Sequence, residues 1–326
     1  MEPTGRRHFL QHGVGAASLM LLRAARAQAP AAVPPAAAVG RGHVGGAVYA
    51  LAVSPDGRML ASASLDTTVR LWLLPGLEPV ATLRGHTGRV KAVVLSKGGT
   101  LLSAGADRLI RRWSIPNGEP LEPLEGHTGA VNALALAPDE TLASAGGYQD
   151  NLVRLWSLNP GRALAGLQGH SADVNALAFT SRGDLLASAS DDRTVRLWSI
   201  PEGAPVAALK GHGGDVNALA TTPDGRLLAS AAADTTIRLW ELPSGKLLAV
   251  LKGHTDVINA LAVSPTGRVL ASGSGDRTIR LWSLPEGRPL RTLVDHKDAV
   301  LALAAGGDPP SLFSGDEGAV VLSRAF

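Results

Sequence analysis

The 326 residues suffice for one large core or two ordinary domains, and 45% hydrophobic residues place the chain outside the disordered class. With no cysteine, it has no disulfide, thiolate metal site, cysteine nucleophile or c-type haem attachment. The formal net charge is +3, and only 4% of residues are aromatic, six of them Trp.

At the N-terminus, Arg6 and Arg7 precede His8, Phe9 and Leu10. A mostly apolar stretch runs from Val14 to Leu22, and small residues follow at Ala25 and Ala27. Positive, apolar and small-residue regions in that order are those of an export signal. The apolar run is too short and too rich in Ala and Gly to span a bilayer well. Residues 1–27 resemble a bacterial twin-arginine signal, which implies export of the folded protein to the periplasm and cleavage after Ala27. The competing reading is a chance Arg pair before a buried apolar segment in a cytosolic protein. Residues 1–27 hold four Arg and one Glu, so removing them leaves 27 basic against 27 acidic residues. A neutral mature chain lacks the electrostatic footprint of a nucleic-acid binder. No membrane span is expected in it.

Residues 28–40 are nearly all Ala, Pro and Val, a composition suited to a linker or an edge strand. Beyond them the sequence repeats. His stands at 43, 86, 127, 170, 212, 254 and 296, at spacings of 41 to 43 residues. Trp stands at 72, 113, 156, 198, 240 and 282, with Leu322 in the seventh place, and an Asp lies six residues before each of these seven positions. Within one period, residues 212–250 read as VNALATT, a TPDG turn, RLLASAA, an Asp turn, TIRLWEL, a PSG turn and KLLAVLKG. Short strands with period-2 alternation and Gly/Pro/Asp punctuation predict antiparallel hairpins, four strands per period. Such a sheet buries both faces only against neighbours in a ring.

Gly-His, Asp and Trp at these spacings resemble the WD40 repeat over residues 41–326. The resemblance implies an all-β, seven-bladed propeller with four antiparallel strands per blade. It also implies a hydrogen-bonded structural tetrad of His, Ser, Asp and Trp in each blade. The sets are His43, Ser62, Asp66 and Trp72; His86, Ser103, Asp107 and Trp113; and His127, Ser144, Asp150 and Trp156. They continue with His170, Ser188, Asp192 and Trp198; His212, Ser230, Asp234 and Trp240; and His254, Ser272, Asp276 and Trp282. Blade 7 has Leu322 for Trp, so its tetrad is expected to be incomplete. Because the chain ends at VVLSRAF, the outer strand of blade 7 is expected from about residues 33–41, despite Pro34 and Pro35.

The pattern offers little chemistry. One His per blade spreads the imidazoles around a ring, whereas zinc needs ligands converging at about 2.0–2.3 Å. One Asp per blade at a turn argues against paired catalytic carboxylates, and the adjacent Asp191 and Asp192 point opposite ways on a strand. There is no HExxH, GxSxG or phosphate-binding loop. Neither cofactor nor metal is expected. Arg70, Arg111, Arg154, Arg196, Arg238 and Arg280, each two before a Trp, are expected to pack on neighbouring blades with cation–π contact.

The His and Asp turns share one end of the ring, which the resemblance marks as the docking face. The positions that start the innermost strands there read Tyr49, Lys91, Asn132, Asn175, Asn217, Asn259 and Leu301. The four Asn are either a hydrogen-bonding ring or remnants of repeat duplication. Tyr49, Arg89 and Lys91, together with Tyr148 in a two-residue insertion of blade 3, mark blades 1–3 as a partner patch, since Tyr and Arg are enriched in binding hot spots. The expected function is non-catalytic: a monomeric platform binding a protein partner. The alternatives are a propeller enzyme with its site at the axial channel, a hydrolase or a cofactor-dependent oxidoreductase, and a cytosolic regulatory scaffold.

Overall fold

The computed structural model describes residues 38–147 and 149–326. The signal-like segment with Arg6, Arg7 and Ala27, residues 28–37 of the Ala/Pro stretch, and Tyr148 lie outside the described residues.

Twenty-eight strands among the described residues form seven four-stranded antiparallel sheets. Blade 1 is typical: innermost Val48–Val53, then Met59–Ser64, Val69–Leu73 and outermost Glu78–Leu83. Each innermost strand packs beside those of the adjoining blades, and that of blade 7 lies beside that of blade 1, so the ring is closed. The outer strand of blade 7 is Ala38–Arg41, antiparallel to Val320–Ala325 with Ala38 opposite Ser323 and Arg41 opposite Val320. This strand falls within the stretch 33–41 read from sequence, of which residues 33–37 lie outside the described residues.

The taper of a propeller explains the composition. Blades crowd near the axis and diverge outward, so small residues are needed inside and large ones outside. The second strand of blade 1 reads Ala61-Ser62-Ala63-Ser64, and these four are buried. Leu71 and Trp72 fill the wider gap on the third strand. Each indole packs on the preceding blade: Trp198 joins Val153, Leu155 and Leu167, and Trp240 joins Leu197 and Leu209. Burying an indole contributes on the order of 3–5 kcal/mol before ordering costs. Six Trp, at six of the seven interfaces, therefore account for a low-aromatic chain that still holds its blades together.

The turns between the first two strands of a blade, at the end opposite the His loops, carry their own hydrogen bonds. In Ser54-Pro55-Asp56-Gly57, Ser54 Oγ donates to Asp56 Oδ1 (2.5 Å), which also accepts from Arg58 N (3.1 Å). Thr222 and Asp224 repeat this in blade 5 at 2.5 Å. Gly57 and Gly225 take the left-handed φ of +72° and +69° that these turns require.

Candidate functional site

The His, Ser and Asp of every blade meet at one end of the ring. His Nδ1 lies 2.6–3.0 Å from Asp Oδ2 in all seven blades. His Nε2 lies 2.6–2.8 Å from Ser Oγ in all seven. In six blades Trp Nε1 donates to the same Oγ at 2.8–2.9 Å. An indole N–H can only donate, so the Ser Oγ accepts from it and its hydroxyl proton is left to donate, which suits a tautomer with the imidazole proton on Nδ1 facing the carboxylate. Burial pushes His43, His127, His170, His212 and His254 below the ordinary 6.5, and their Asp partners only partly offset it. Burial works to raise the Asp276 carboxyl, but hydrogen bonds from Thr278, His254 and Thr255 N outweigh it and bring it down to about 2.

Each Asp also builds its turn. Asp66 Oδ1 accepts from Thr68 N (2.9 Å) and Thr68 Oγ1 (2.7 Å), while Oδ2 accepts from Val44 N (3.3 Å). Trp–Ser–His–Asp is thus a relay tying the second and third strands to the loop that enters the blade. Ser–His–Asp connectivity of this kind activates a nucleophile when the Ser opens on a cleft. Here every tetrad Ser is fully buried, and six of them already receive the indole N–H.

Five of the six Arg two before Trp (Arg70, Arg111, Arg196, Arg238 and Arg280) lie over the glycine that precedes each His, while Arg154 does not reach Gly126. A Cβ built on Gly42 would sit 2.8 Å from Arg70 Nη1 and 3.1 Å from Trp72 Cη2, so this glycine makes room for both side chains. Arg238 Nη2 donates to Gly211 O at 2.7 Å, and Arg154 Nη2 lies 3.3 Å from Asp150 Oδ1. These contacts with the loop, rather than the outward belt of an anion site, occupy the guanidinium groups.

Blade 7 departs from the repeat in a connected way. His296 pairs with Asp316 and Ser314 at 2.8 and 2.7 Å, so three members of a tetrad are present, with Ser314 a position the sequence reading had not named. The register corrects the expectation that Leu322 stands at the Trp place: Arg324 lies opposite Leu312 as Trp72 lies opposite Leu60, so Arg324 replaces the indole. Leu322, opposite Ser314 as Arg70 is opposite Ser62, replaces the Arg, and the position before His296 holds Asp295. Asp295 pairs with Arg324, which is only 5% exposed.

The axial channel is the one place where side chains of all seven blades converge. The innermost strand of each blade carries a β-bulge at its second residue: the pairing skips between Val48 and Ala50, Val90 and Ala92, Val131 and Ala133, and so on to Val300 and Ala302. The skipped residues are Tyr49, Lys91, Asn132, Asn175, Asn217, Asn259 and Leu301, and all line a cavity of about 210 Å³. A bulge re-aims a side chain, and here it does so seven times. The Asn side chains lace blade to blade: Nδ2 of Asn132, Asn175, Asn217 and Asn259 donates to the carbonyls of Val174, Val216, Ile258 and Val300 at 3.1–3.4 Å. Lys91 Nζ extends the series, donating to Asn132 Oδ1 at 2.6 Å.

Charge is uneven around the mouth. Burial, with the charge of Arg89, lowers the Lys91 ammonium below its usual range, while Asp173 and Asp191 act in the opposite sense. Asp191 accepts from Asn175 Nδ2 at 2.5 Å, and burial together with Asp215 and Asp173 raises its carboxyl. The sequence reading treated Asp191 only as half of an adjacent pair. Comparing the repeats would have singled it out, since the equivalent positions are Leu65, Ala106, Gly147, Ala233, Gly275 and Glu317. Tyr49, Lys91 and the four Asn thus share one cavity. Arg89 acts electrostatically on Lys91 beside it, and Tyr148 is outside the described residues. Among the described residues, no helix is long and apolar enough to cross a membrane.

The family model for the WD domain, G-beta repeat, matches residues 37–72, 77–114, 118–157, 161–199, 203–241 and 245–283. These matches end before blade 7, the blade that lacks the Trp. No curated protein matches the chain. With most of its length matched and seven four-stranded blades in the structure, the chain belongs to the WD40-repeat family.

Proposed function

We propose that the protein is a non-catalytic platform that binds a protein partner in the periplasm, reached through a twin-arginine signal cleaved after Ala27. The observation that carries the non-catalytic reading is the use of the tetrads. Every Ser, His and Asp that resembles catalytic machinery is buried in a hydrogen bond that holds a blade together. Platform function is also what WD40 rings commonly provide. Docking is assigned to the tetrad end at blades 1–3, centred on Tyr49, Arg89 and Lys91 and including Tyr148. Val44 and Leu65 of blade 1 are exposed at that end and add apolar area beside the basic pair.

The test is capture of tagged mature protein from the periplasmic fraction, with mass spectrometry and metal analysis of the same sample. A stoichiometric protein that is lost when Tyr49→Ala and Tyr148→Ala are combined supports the reading. A stoichiometric metal or small cofactor with no protein overturns it. Export is tested separately: Arg6→Lys with Arg7→Lys leaves the chain in the cytoplasm if the signal reading is right, and periplasmic accumulation unaffected by the pair refutes it.

A further inference from the structure

The bulged residues place one ammonium, Lys91, among the amides of the channel. In a seven-blade ring, blade 2 faces blades 5 and 6 across the axis. Lys91 of blade 2 therefore looks toward Asn217 and Asn259, with Asp215 beside the former in sequence and Asp191 on the adjoining blade 4.

Hydrogen bonding fixes which end of each amide faces the cavity. A main-chain carbonyl can only accept, so Nδ2 of Asn217 and Asn259 is pinned to Ile258 O and Val300 O. Among the described residues their Oδ1 atoms take part in no hydrogen bond, and both side chains line the cavity. The same ring shows what such an oxygen does when an ammonium is within reach: Asn132 Oδ1 accepts from Lys91 Nζ at 2.6 Å. Lys91 uses one of its three N–H donors there, and two are left.

We propose that the channel mouth is a binding site for a small zwitterion, with its ammonium on the amide oxygens of Asn217 and Asn259 and its carboxylate on Lys91 beside Tyr49. A simple cation would share the cavity with the Lys91 ammonium, and a simple anion would face Asp173, Asp191 and Asp215. A ligand carrying both charges meets each with its opposite. The cavity of about 210 Å³ is smaller than pockets for drug-sized ligands, roughly 300–1,000 Å³, and suits one small molecule. Partial burial of Lys91 strengthens its contact with a carboxylate relative to water. The site shares Tyr49 and Lys91 with the proposed docking patch but requires only the chain itself, so it is tested without a protein partner.

Titration calorimetry of the full chain with a ladder of ω-amino acids, glycine to 6-aminohexanoate, tests it, with hexylamine and hexanoate as single-charge controls. At least one zwitterion is expected to saturate the site about tenfold or more tighter than either control, a difference of about 1.4 kcal/mol. Lys91→Met is expected to weaken the zwitterion and to tighten hexylamine, because the repelling charge is gone. Asn217→Leu is expected to weaken both. Lys91→Gln gives the same signs should the Met variant fold poorly, as judged by its thermal midpoint. No saturable zwitterion, hexylamine equal to the best zwitterion, or Lys91 variants that change neither ligand would each overturn the proposal.

Discussion

Asp295 and Arg324 form an ion pair in the one blade that has no Trp. Arg324 is nearly fully buried, and its Nε and Nη2 have no partner. Removing one member of a buried pair leaves an uncompensated charge and typically costs 3–5 kcal/mol, less where one partner is part-exposed. Asp295→Gly is therefore expected to cost about 2–4 kcal/mol, measured by urea unfolding. Restoring the repeat with Asp295→Gly, Leu322→Arg and Arg324→Trp together is expected to recover that loss. A single Asp295→Gly within about 0.5 kcal/mol of the parent would show the pair to be incidental.

Each tetrad Ser serves two partners. Ser230→Ala strips an acceptor from Trp240 Nε1 and a donor from His212 Nε2, both buried. Unsatisfied buried groups cost about 1–3 kcal/mol each, so the expected loss is about 2–4 kcal/mol in urea unfolding. Ser244→Ala, on an exposed turn, is the control and is expected within about 0.5 kcal/mol of the parent. Equal effects at the two positions would contradict the relay.

Acid should unfold the ring in two stages. Five tetrad His have folded pKa values below the ordinary 6.5, so below that pH the unfolded chain takes up protons that the folded chain refuses. Their stabilising contribution is complete above about 6.5 and declines as pH falls toward the lowered values. The lowered carboxyls of Asp66, Asp107, Asp192, Asp234 and Asp276 act in the same direction lower down, Asp276 between the ordinary 3.8 and about 2. Thermal midpoints are expected to be level from pH 7 to 8, to fall below about 6.5, and to fall further below about 4. A midpoint that rises from pH 7 to 5 would mean that the folded imidazoles are charged.

In blades 2 to 6 a glycine in the third turn sits against the preceding blade. Gly245 has φ +69°, and a Cβ there would lie 2.5 Å from Leu209 Cδ2. Gly245→Ala combines left-handed strain with a clash and is expected to cost about 1–3 kcal/mol. Gly98→Ala, where the nearest atom would be 3.6 Å away, is expected to be nearly neutral by the same denaturant measurement. A neutral Gly245→Ala would show that Leu209 relaxes freely.

The seven-bladed ring was legible because the His–Ser–Asp–Trp relay demands four side chains at a fixed register in every repeat, and that demand appears as spacing. Ring closure was legible because VVLSRAF leaves a sheet one strand short. What stayed hidden is not periodic in residue type. The seven bulges are a backbone feature, and they occur whether the skipped residue is Tyr49, Asn217 or Leu301. The choice left open for the four Asn, ring or remnant, turned on whether an amide reaches the next blade's carbonyl, a distance that sequence does not state. The Asp295–Arg324 pair was invisible for another reason: spacing from Asp316 points to Leu322 as the Trp place, whereas strand register puts Arg324 there, two residues further along the same strand.

The bulge also separates two kinds of inheritance. The residues that bind blade to blade and strand to strand lie in the paired ladder and the tetrads, where a change in one repeat is felt by its neighbours. The skipped residue sits outside the ladder and faces the axis, touching the next blade only through its side chain where it is Asn or Lys91. Seven such positions behave like a combination lock mounted on a fixed frame: the digits can be reset one at a time while the frame stays as it is. In this chain four digits read Asn and three do not, and the Tyr49, Lys91 and Leu301 settings are where a line of descent could tune what enters the channel without renegotiating the fold.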